Sequence, residues 1–193
     1  HRMQEGLTSL GRNSGVGLAV NPQNGEVLAL INFPSYDPNV FLAPEKNEER
    51  LKLLKSPDKP LFNRAISGAY SPGSTIKPLV ALAALTEGVI NTEKQIYSPG
   101  YLEIPNPYDS TKPTLFLDWR PQGWVNLERA IAQSSNVYFY TVGGGFGDIK
   151  GLGIKRLNGW WQKFNLGKLT GIDLPGEAKG LLPTVEEKEK RTG

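Results

Sequence analysis

The chain has 193 residues, is 38% hydrophobic and 21% charged, and carries a formal net charge of +3. Such a length and balance suit one globular domain, or the greater part of a larger one, with a packed core. There is no cysteine, the single histidine is His1, and the basic residues are scattered; disulfides, thiolate metal sites, a Ser-His-Asp triad and nucleic-acid binding are all argued against.

Residues 15–33 read as a β-hairpin. Val16, Leu18 and Val20 alternate, Val27 to Ile31 form a second apolar run, and Asn21-Pro22-Gln23-Asn24-Gly25 is the turn between them. From Asp37 to Pro60 the chain is polar and proline-rich, with a short helix expected around Glu45 to Leu54. Arg64 to Gly73 leads into a helix expected from about Thr75 to Glu87, stopped by Gly88. Residues 91–123 are studded with proline and read as an irregular surface excursion. Asn126 is a good N-cap for another helix, and a further helix is expected over Ile149 to Phe164. Residues 179–193 read as a charged loop. The pattern is α+β, one hairpin and a mostly helical body, and the hairpin needs strand partners that the chain does not obviously supply. The most apolar stretch, Leu79 to Leu85, is far too short to span a bilayer, and no signal peptide is evident.

The chemistry centres on Ser71-Pro72-Gly73-Ser74-Thr75-Ile76-Lys77-Pro78. A bare Ser-x-x-Lys is expected by chance in a chain with 11 Ser and 14 Lys, and a second one, Ser56-Pro57-Asp58-Lys59, lies in a broken charged loop with no helix after it. Ser74 differs in its setting. Pro72-Gly73 makes a tight turn, and the helix body Leu79-Val80-Ala81-Leu82-Ala83-Ala84-Leu85 is apolar all round, hence expected to be buried. Pro78 is tolerable only in a first helical turn, which puts the helix start near Ser74 or Thr75. At a spacing of three the side chains of Ser74 and Lys77 share a helix face. Burial and the positive end of the helix both favour a neutral Lys77 amine, able to take the proton of Ser74 as it becomes a nucleophile, with helix-start N–H groups aiding an oxyanion. Read alone, Ser74 is equally an ordinary N-cap and Lys77 a surface lysine.

A second element favours the chemical reading. Leu127, Ala130, Ile131 and Ser134 follow helical spacing, which puts Ser134 on an inward stripe where a hydroxyl needs a partner. Ser134-Ser135-Asn136 then presents a hydroxyl and an amide together. A helix interruption capped by Ser and Asn is the plainer alternative.

Ser-x-x-Lys followed by Ser-x-Asn resembles the active-site pattern of penicillin-binding proteins and serine β-lactamases. Gly25 to Leu30, Pro34 to Asn39, Asn63-Arg64-Ala65, Tyr70 to Ser74, Leu127 to Ala132 and Gly171 to Glu177 resemble class B transpeptidases, most of all the penicillin-binding protein 2 group of the cell-elongation machinery. The likeness covers nearly the whole chain. It implies the α+β transpeptidase fold, a helical body with an antiparallel sheet. It also implies a D,D-transpeptidase that acylates a serine with a D-Ala-D-Ala stem peptide and cross-links it to a neighbouring amine. Carried over, Ser74 is the nucleophile, Lys77 the base, Ser134 a proton relay and Asn136 a ligand of the bound peptide. β-Lactams would acylate Ser74. Implied surroundings are the bacterial cytoplasmic membrane, a single-pass anchor outside this chain, a catalytic domain on the outer or periplasmic face, and a polytopic glycosyltransferase partner. No cofactor and no metal are expected, although some relatives hold zinc near the second motif.

The family's third motif, Lys-Thr/Ser-Gly, lies on a strand. Lys190-Arg191-Thr192-Gly193 follows a charged run and comes too soon after Asn136 to be that motif. Residues 1–193 are therefore read as the N-terminal portion of the domain, stopping before the third motif and the later strands. Two alternatives share the motifs, a serine β-lactamase and a β-lactam sensor. The first would need a deacylating glutamate after Asn136, and Glu177 lies in an unlike Leu-Pro-Gly-Glu turn.

Overall fold

A computed structural model describes residues 2–106, 109 and 111–192, without the side chains of residues 187, 188, 191 and 192. The chain divides into two compact units, one of His1–Tyr70 with Gly171–Ala178, the other of Ser71–Thr170 with Lys179–Gly193.

The first unit holds helix α1 (Arg2–Ser9), strands β1 (Gly15–Val20) and β2 (Val27–Phe33), helix α2 (Asn47–Lys55) and the one-turn helix α3 (Arg64–Ser67). β1 and β2 pair antiparallel from Gly15↔Phe33 to Val20↔Val27, with an irregularity at Ala19/Val20. The turn is held as its residues suggest: Asn21 and Asn24 side chains accept from the N–H groups of Gln23 and Glu26, and Gly25 takes φ 80. Among the described residues this ladder has two strands, and Leu18, Leu28 and Ile31 remain at least half exposed. The Asn32 amide joins the hairpin to the next segment, donating to Phe62 O and accepting from Arg64 N. The segment 171–178 is fastened to α3 by Ser67 Oγ donating to Gly176 O at 2.6 Å and Ala178 N donating to Ile66 O at 2.8 Å. The expected helix at Glu45 to Leu54 is a 3-10 turn (Pro44–Lys46) running into α2.

The second unit is built on α4 (Lys77–Thr86) and α6 (Asn136–Gly144). Ala83 and Ala84 of α4 are fully buried, and their small side chains let α6 and α7 (Gly153–Lys163) pack close. Val125, Leu127, Tyr138, Val142 and Leu152 complete this core. The Tyr138 hydroxyl donates to Lys94 O, and burial pushes this phenol up to about 12. α4 is not buried all round, as Leu82 is 45% exposed.

Three further expectations are overturned here. The proline-rich excursion contains four strands, β3 (Ile96–Ser98), β4 (Tyr101–Ile104), β5 (Thr114–Leu117) and β6 (Gly123–Val125), paired antiparallel as β3–β6 and β4–β5. Runs of three or four residues are too short to display alternation, and the prolines fall outside them. Residues 185–192 form helix α8 rather than a loop, since Glu, Lys and Arg are good helix formers. The run toward Gly193 is thus helical, and Gly193 itself lies outside the described residues. Lastly, α7 begins at Gly153, because Ile149 pairs with Phe146 in a tight bend ahead of it. Among the described residues no helix is long and apolar enough to cross a membrane.

That bend is a close backbone approach. Gly145 (φ 91) and Gly151 (φ 65) are left-handed, and a Cβ on Gly151 would stand 2.7 Å from Gly144 C. Gly151→Ala should therefore lower the free energy of unfolding by more than the usual ~1 kcal/mol of a point change. Leu127→Ala, in the packed core, should cost about 2–5 kcal/mol. Urea unfolding of both variants checks this, and a Gly151→Ala protein as stable as the parent would contradict the close approach.

Candidate active site

Pro72 and Gly73 turn the chain, with Gly73 at φ 55, into a 3-10 turn over Gly73–Ile76. The α-helix proper starts at Lys77, two residues later than expected. Pro78 has no N–H to give to Ser74 O, so Lys77 N serves that carbonyl instead, in the tighter 3-10 pattern. Ser74 is left exposed at the mouth of the helix, and Lys77, 9% exposed, points inward.

The partner segment is the junction of α5 (Leu127–Ala132) and α6. Ser134 does not lie on a helical stripe. It sits between the helices in the left-handed region, φ 52, and Ile131 of the supposed stripe is 43% exposed. The bend turns Ser134 back toward Ser74. Ser135 caps α6, its Oγ accepting from Tyr138 N, so the plainer capping reading of this segment holds together with the convergence below.

All four sequence candidates come together. Ser134 Oγ donates to Ser74 Oγ at 2.8 Å. Lys77 Nζ donates to Ser134 O at 2.7 Å, Ser134 Oγ at 3.2 Å and Asn136 Oδ1 at 2.6 Å. Lys77 thus reaches Ser74 through Ser134. The Phe139 ring lies 5.7 Å from Nζ. Burial lowers the affinity of Lys77 for its proton, and the negative charge of Asp118 opposes that without cancelling it. Asn136 Nδ2 has a long contact of 3.4 Å to Leu117 O, which leaves a donor at the rim. The decoy is elsewhere, in the first unit: Ser56 ends α2, and the chain turns at Lys59, φ 47, instead of entering a helix.

Asp118 was not legible in the sequence. Its Oδ2 accepts from Asn136 N at 2.8 Å, Val137 N at 3.0 Å, Ser135 Oγ at 3.2 Å and Ser98 Oγ at 3.4 Å, and its Oδ1 from Trp119 N at 2.9 Å. Burial pushes this carboxyl up, but the N–H groups of Val137, Asn136 and Trp119 and the Ser135 hydroxyl outweigh it and hold it below its ordinary value. The partners lie 18 and 19 residues away in sequence, and no local signal joins them. Among the described residues no cluster of three or more His, Cys, Asp or Glu could hold a metal.

Comparison with known proteins gives one consistent result. Residues 15–192 match the penicillin binding protein transpeptidase domain model. The chain is similar to the peptidoglycan D,D-transpeptidase MrdA of Acinetobacter baumannii, 39% identical over 90% of this chain and 25% of that protein. It is also similar to MrdA of Escherichia coli, 37% identical over 98% of this chain and 29% of that protein. The chain thus spans little more than a quarter of these curated relatives. Among solved structures it resembles Pseudomonas aeruginosa PBP2 in complex with WCK 5153 (TM-score 0.76, 37% identity, 99% of this chain, 42% of that one). It resembles Helicobacter pylori PBP2 bound to MreC as well (TM-score 0.80, 30% identity, 98% of this chain, 33% of that one).

The capping role of Ser135 can be tested apart from chemistry. Ser135→Ala removes the N-cap of α6 and one donor to Asp118, and should cost about 0.5–2 kcal/mol. Thermal unfolding measures it, and an unchanged midpoint would show that the cap is dispensable.

Proposed function

Because the chain belongs to the penicillin-binding protein transpeptidase family, we propose that it is the nucleophile-bearing portion of a peptidoglycan D,D-transpeptidase, with Ser74 acylated and Lys77 its base. The observation that carries this reading is the hydrogen-bonded path from Ser74 Oγ through Ser134 Oγ to Lys77 Nζ. The rest of the domain, including the third motif, lies in the remainder of the protein, and residues 1–193 are its N-terminal portion. The similarity to MrdA supports D-Ala-D-Ala stem peptides as substrate, and the imipenem acyl-enzyme complex of the similar penicillin-binding protein A from M. tuberculosis supports β-lactams as acylating mimics.

The chemistry follows from the arrangement. An ammonium at Lys77 has three N–H groups for three acceptors. A neutral amine keeps the two short bonds, to Ser134 O and Asn136 Oδ1, and turns its lone pair to Ser134 Oγ. Ser74 then donates to Ser134, and Ser134 to Lys77, as Ser74 Oγ attacks the penultimate D-alanine carbonyl. N–H groups at the start of the helix after Ser74 help stabilise the developing oxyanion. The proton returns through Ser134 to the departing D-alanine nitrogen. An acceptor amine then attacks the ester, and the same path takes its proton and delivers it to the departing Ser74 Oγ. Asn136 Nδ2 hydrogen-bonds the peptide. The protein works at the outer face of the bacterial cytoplasmic membrane, on a single-pass anchor and beside a polytopic glycosyltransferase. The MreC complex of the Helicobacter relative supports work within an assembly. Cell elongation and shape are its place in the cell.

In the protein as the cell makes it, Ser74→Ala should abolish covalent labelling by a fluorescent penicillin, and Ser56→Ala should leave it intact. Labelling that survives Ser74→Ala refutes the nucleophile assignment. A stable adduct separates this reading from a β-lactamase, and stem-peptide cross-linking separates it from a sensor.

Acylation should also depend on pH in one direction. The base must be neutral, so the rate should fall as the pH drops through the lowered midpoint of Lys77, below the ordinary 10.5. Stopped-flow acylation across pH tests this, and a rate that climbs toward acid pH would exclude Lys77 as the base.

A further inference from the structure

The catalytic path is held from behind by a group that never reaches the substrate. Asn136 and Val137 are the first two residues of α6, and their N–H groups have no partner within the helix. Asp118 Oδ2 takes both, at 2.8 and 3.0 Å, while Ser135 takes the third at Tyr138 N. The same oxygen accepts the Ser135 and Ser98 hydroxyls. Two further bonds brace the entry to the junction: Trp119 Nε1 and Gln122 Nε2 both donate to Gln133 O, at 3.0 and 3.3 Å. Ser134 and Asn136 are therefore clamped on both sides by the segment 118–122. Among the described residues these two supply every acceptor of Lys77.

We propose that Asp118 is a positioning residue, whose carboxylate fixes Ser134 and Asn136 on Lys77 and sets the electrostatic field in which that amine works. The inference rests on the reading of Ser74 and Lys77 as nucleophile and base. Two features distinguish this role from a plain helix cap. First, the capped N–H of Asn136 belongs to the residue whose side chain grips Lys77 at 2.6 Å, so an error in the cap passes directly to the base. Second, Asp118 is the charge that acts on Lys77. Other titratable groups also lie on the elements packed on α4. These are Glu128 and Arg129 on α5, Tyr138 and Tyr140 on α6, and Lys155, Arg156 and Lys163 on α7. Tyr138 donates to Lys94 O, Arg129 to Trp124 O, and Arg156 to Leu152 O and Gly151 O.

The effects of Asp118→Asn have opposite signs in two observables. An amide offers one acceptor oxygen where the carboxylate offers two, so either the α6 N–H groups or Trp119 N faces an NH₂. The loosened junction should lower the plateau acylation rate about 10²-fold, as displacements near 1 Å do. Loss of the negative charge makes Lys77 easier to deprotonate, so the acid limb of the pH profile should move to lower pH. A residue needed only for folding would lower the amount of active protein and leave that midpoint in place. Asp118→Glu keeps the charge but displaces the cap by one methylene; it should keep the midpoint and lose about tenfold in plateau rate, part of the same displacement cost.

The experiment is stopped-flow acylation by a fluorescent penicillin across pH, on the protein as the cell makes it, with NMR titration of isotope-labelled Lys77 in parallel. Loss of plateau rate with the midpoint lowered in Asp118→Asn, and held in Asp118→Glu, is the expected result. A wild-type rate and midpoint in Asp118→Asn overturns the proposal. So does a fall in rate with no movement of the Lys77 midpoint, or failure of both variants to fold, since each makes Asp118 structural. If the wild-type protein takes no penicillin, the functional reading fails, and the NMR titration still decides whether Asp118 sets the Lys77 midpoint.

Discussion

An amine taken out of water needs an acceptor for each of its hydrogens, and Lys77 finds three on two residues of a segment 57 to 59 positions away. Much of the second unit follows from that demand. α4 must begin at Lys77 so that the side chain points inward. α5 must stop short of Ser134 so that a backbone carbonyl is free to meet it. α6 must start at Asn136 so that its amide arrives beside the carbonyl. Because two bonds are short and one is longer, the same geometry serves the charged and the neutral amine. The proton can move with little rearrangement of heavy atoms, which suits the part of base proposed for Lys77.

The scaffold meets this demand with rigid parts. Fully buried alanines on α4 bring α6 close, and the closed glycine bend at Gly145–Gly151 fixes where α7 begins. The candidate site residues sit on the ends of these elements, not in their middles. Ser74 lies in a 3-10 turn, Ser134 in an interhelical bend and Asn136 at a first helical position, where orphan N–H groups and free side chains coincide.

Ser74 and Lys77 stood out in the sequence because punctuation surrounds them, with Pro72-Gly73 before, Pro78 after and an apolar helix beyond, but that setting alone left capping equally open until the Ser134-Ser135-Asn136 segment was set beside it. Asn136 was picked out as an amide beside the Ser134 hydroxyl, and its part as a ligand of the peptide came from the family resemblance. Ser134 was placed correctly near the site for an incorrect reason. Helical spacing runs on through Leu127, Ala130, Ile131 and Ser134, but the helix stops at Ala132, and spacing alone carries no sign of a backbone that turns left-handed. Asp118 was invisible, since a single acid in a proline-rich stretch announces nothing until the fold brings the start of α6 to it. The strands beside it escaped because three or four residues are too few to show a period. The α+β class was legible from the hairpin and the helices alone.

The left-handed backbone of Ser134 has a bearing on how this site can drift over generations. Two unrelated requirements fall on one position: a hydroxyl between Ser74 and Lys77, and a φ of 52. Threonine would keep the hydroxyl but bring a β-branch into a region that such residues rarely enter. Glycine would relax into the bend and leave the path broken, and asparagine or aspartate would tolerate the bend with a different head group. Few replacements satisfy both, and none of the chemically nearest ones does. A lineage under pressure to alter this site would find the position nearly closed, and change would be channelled into the residues around it.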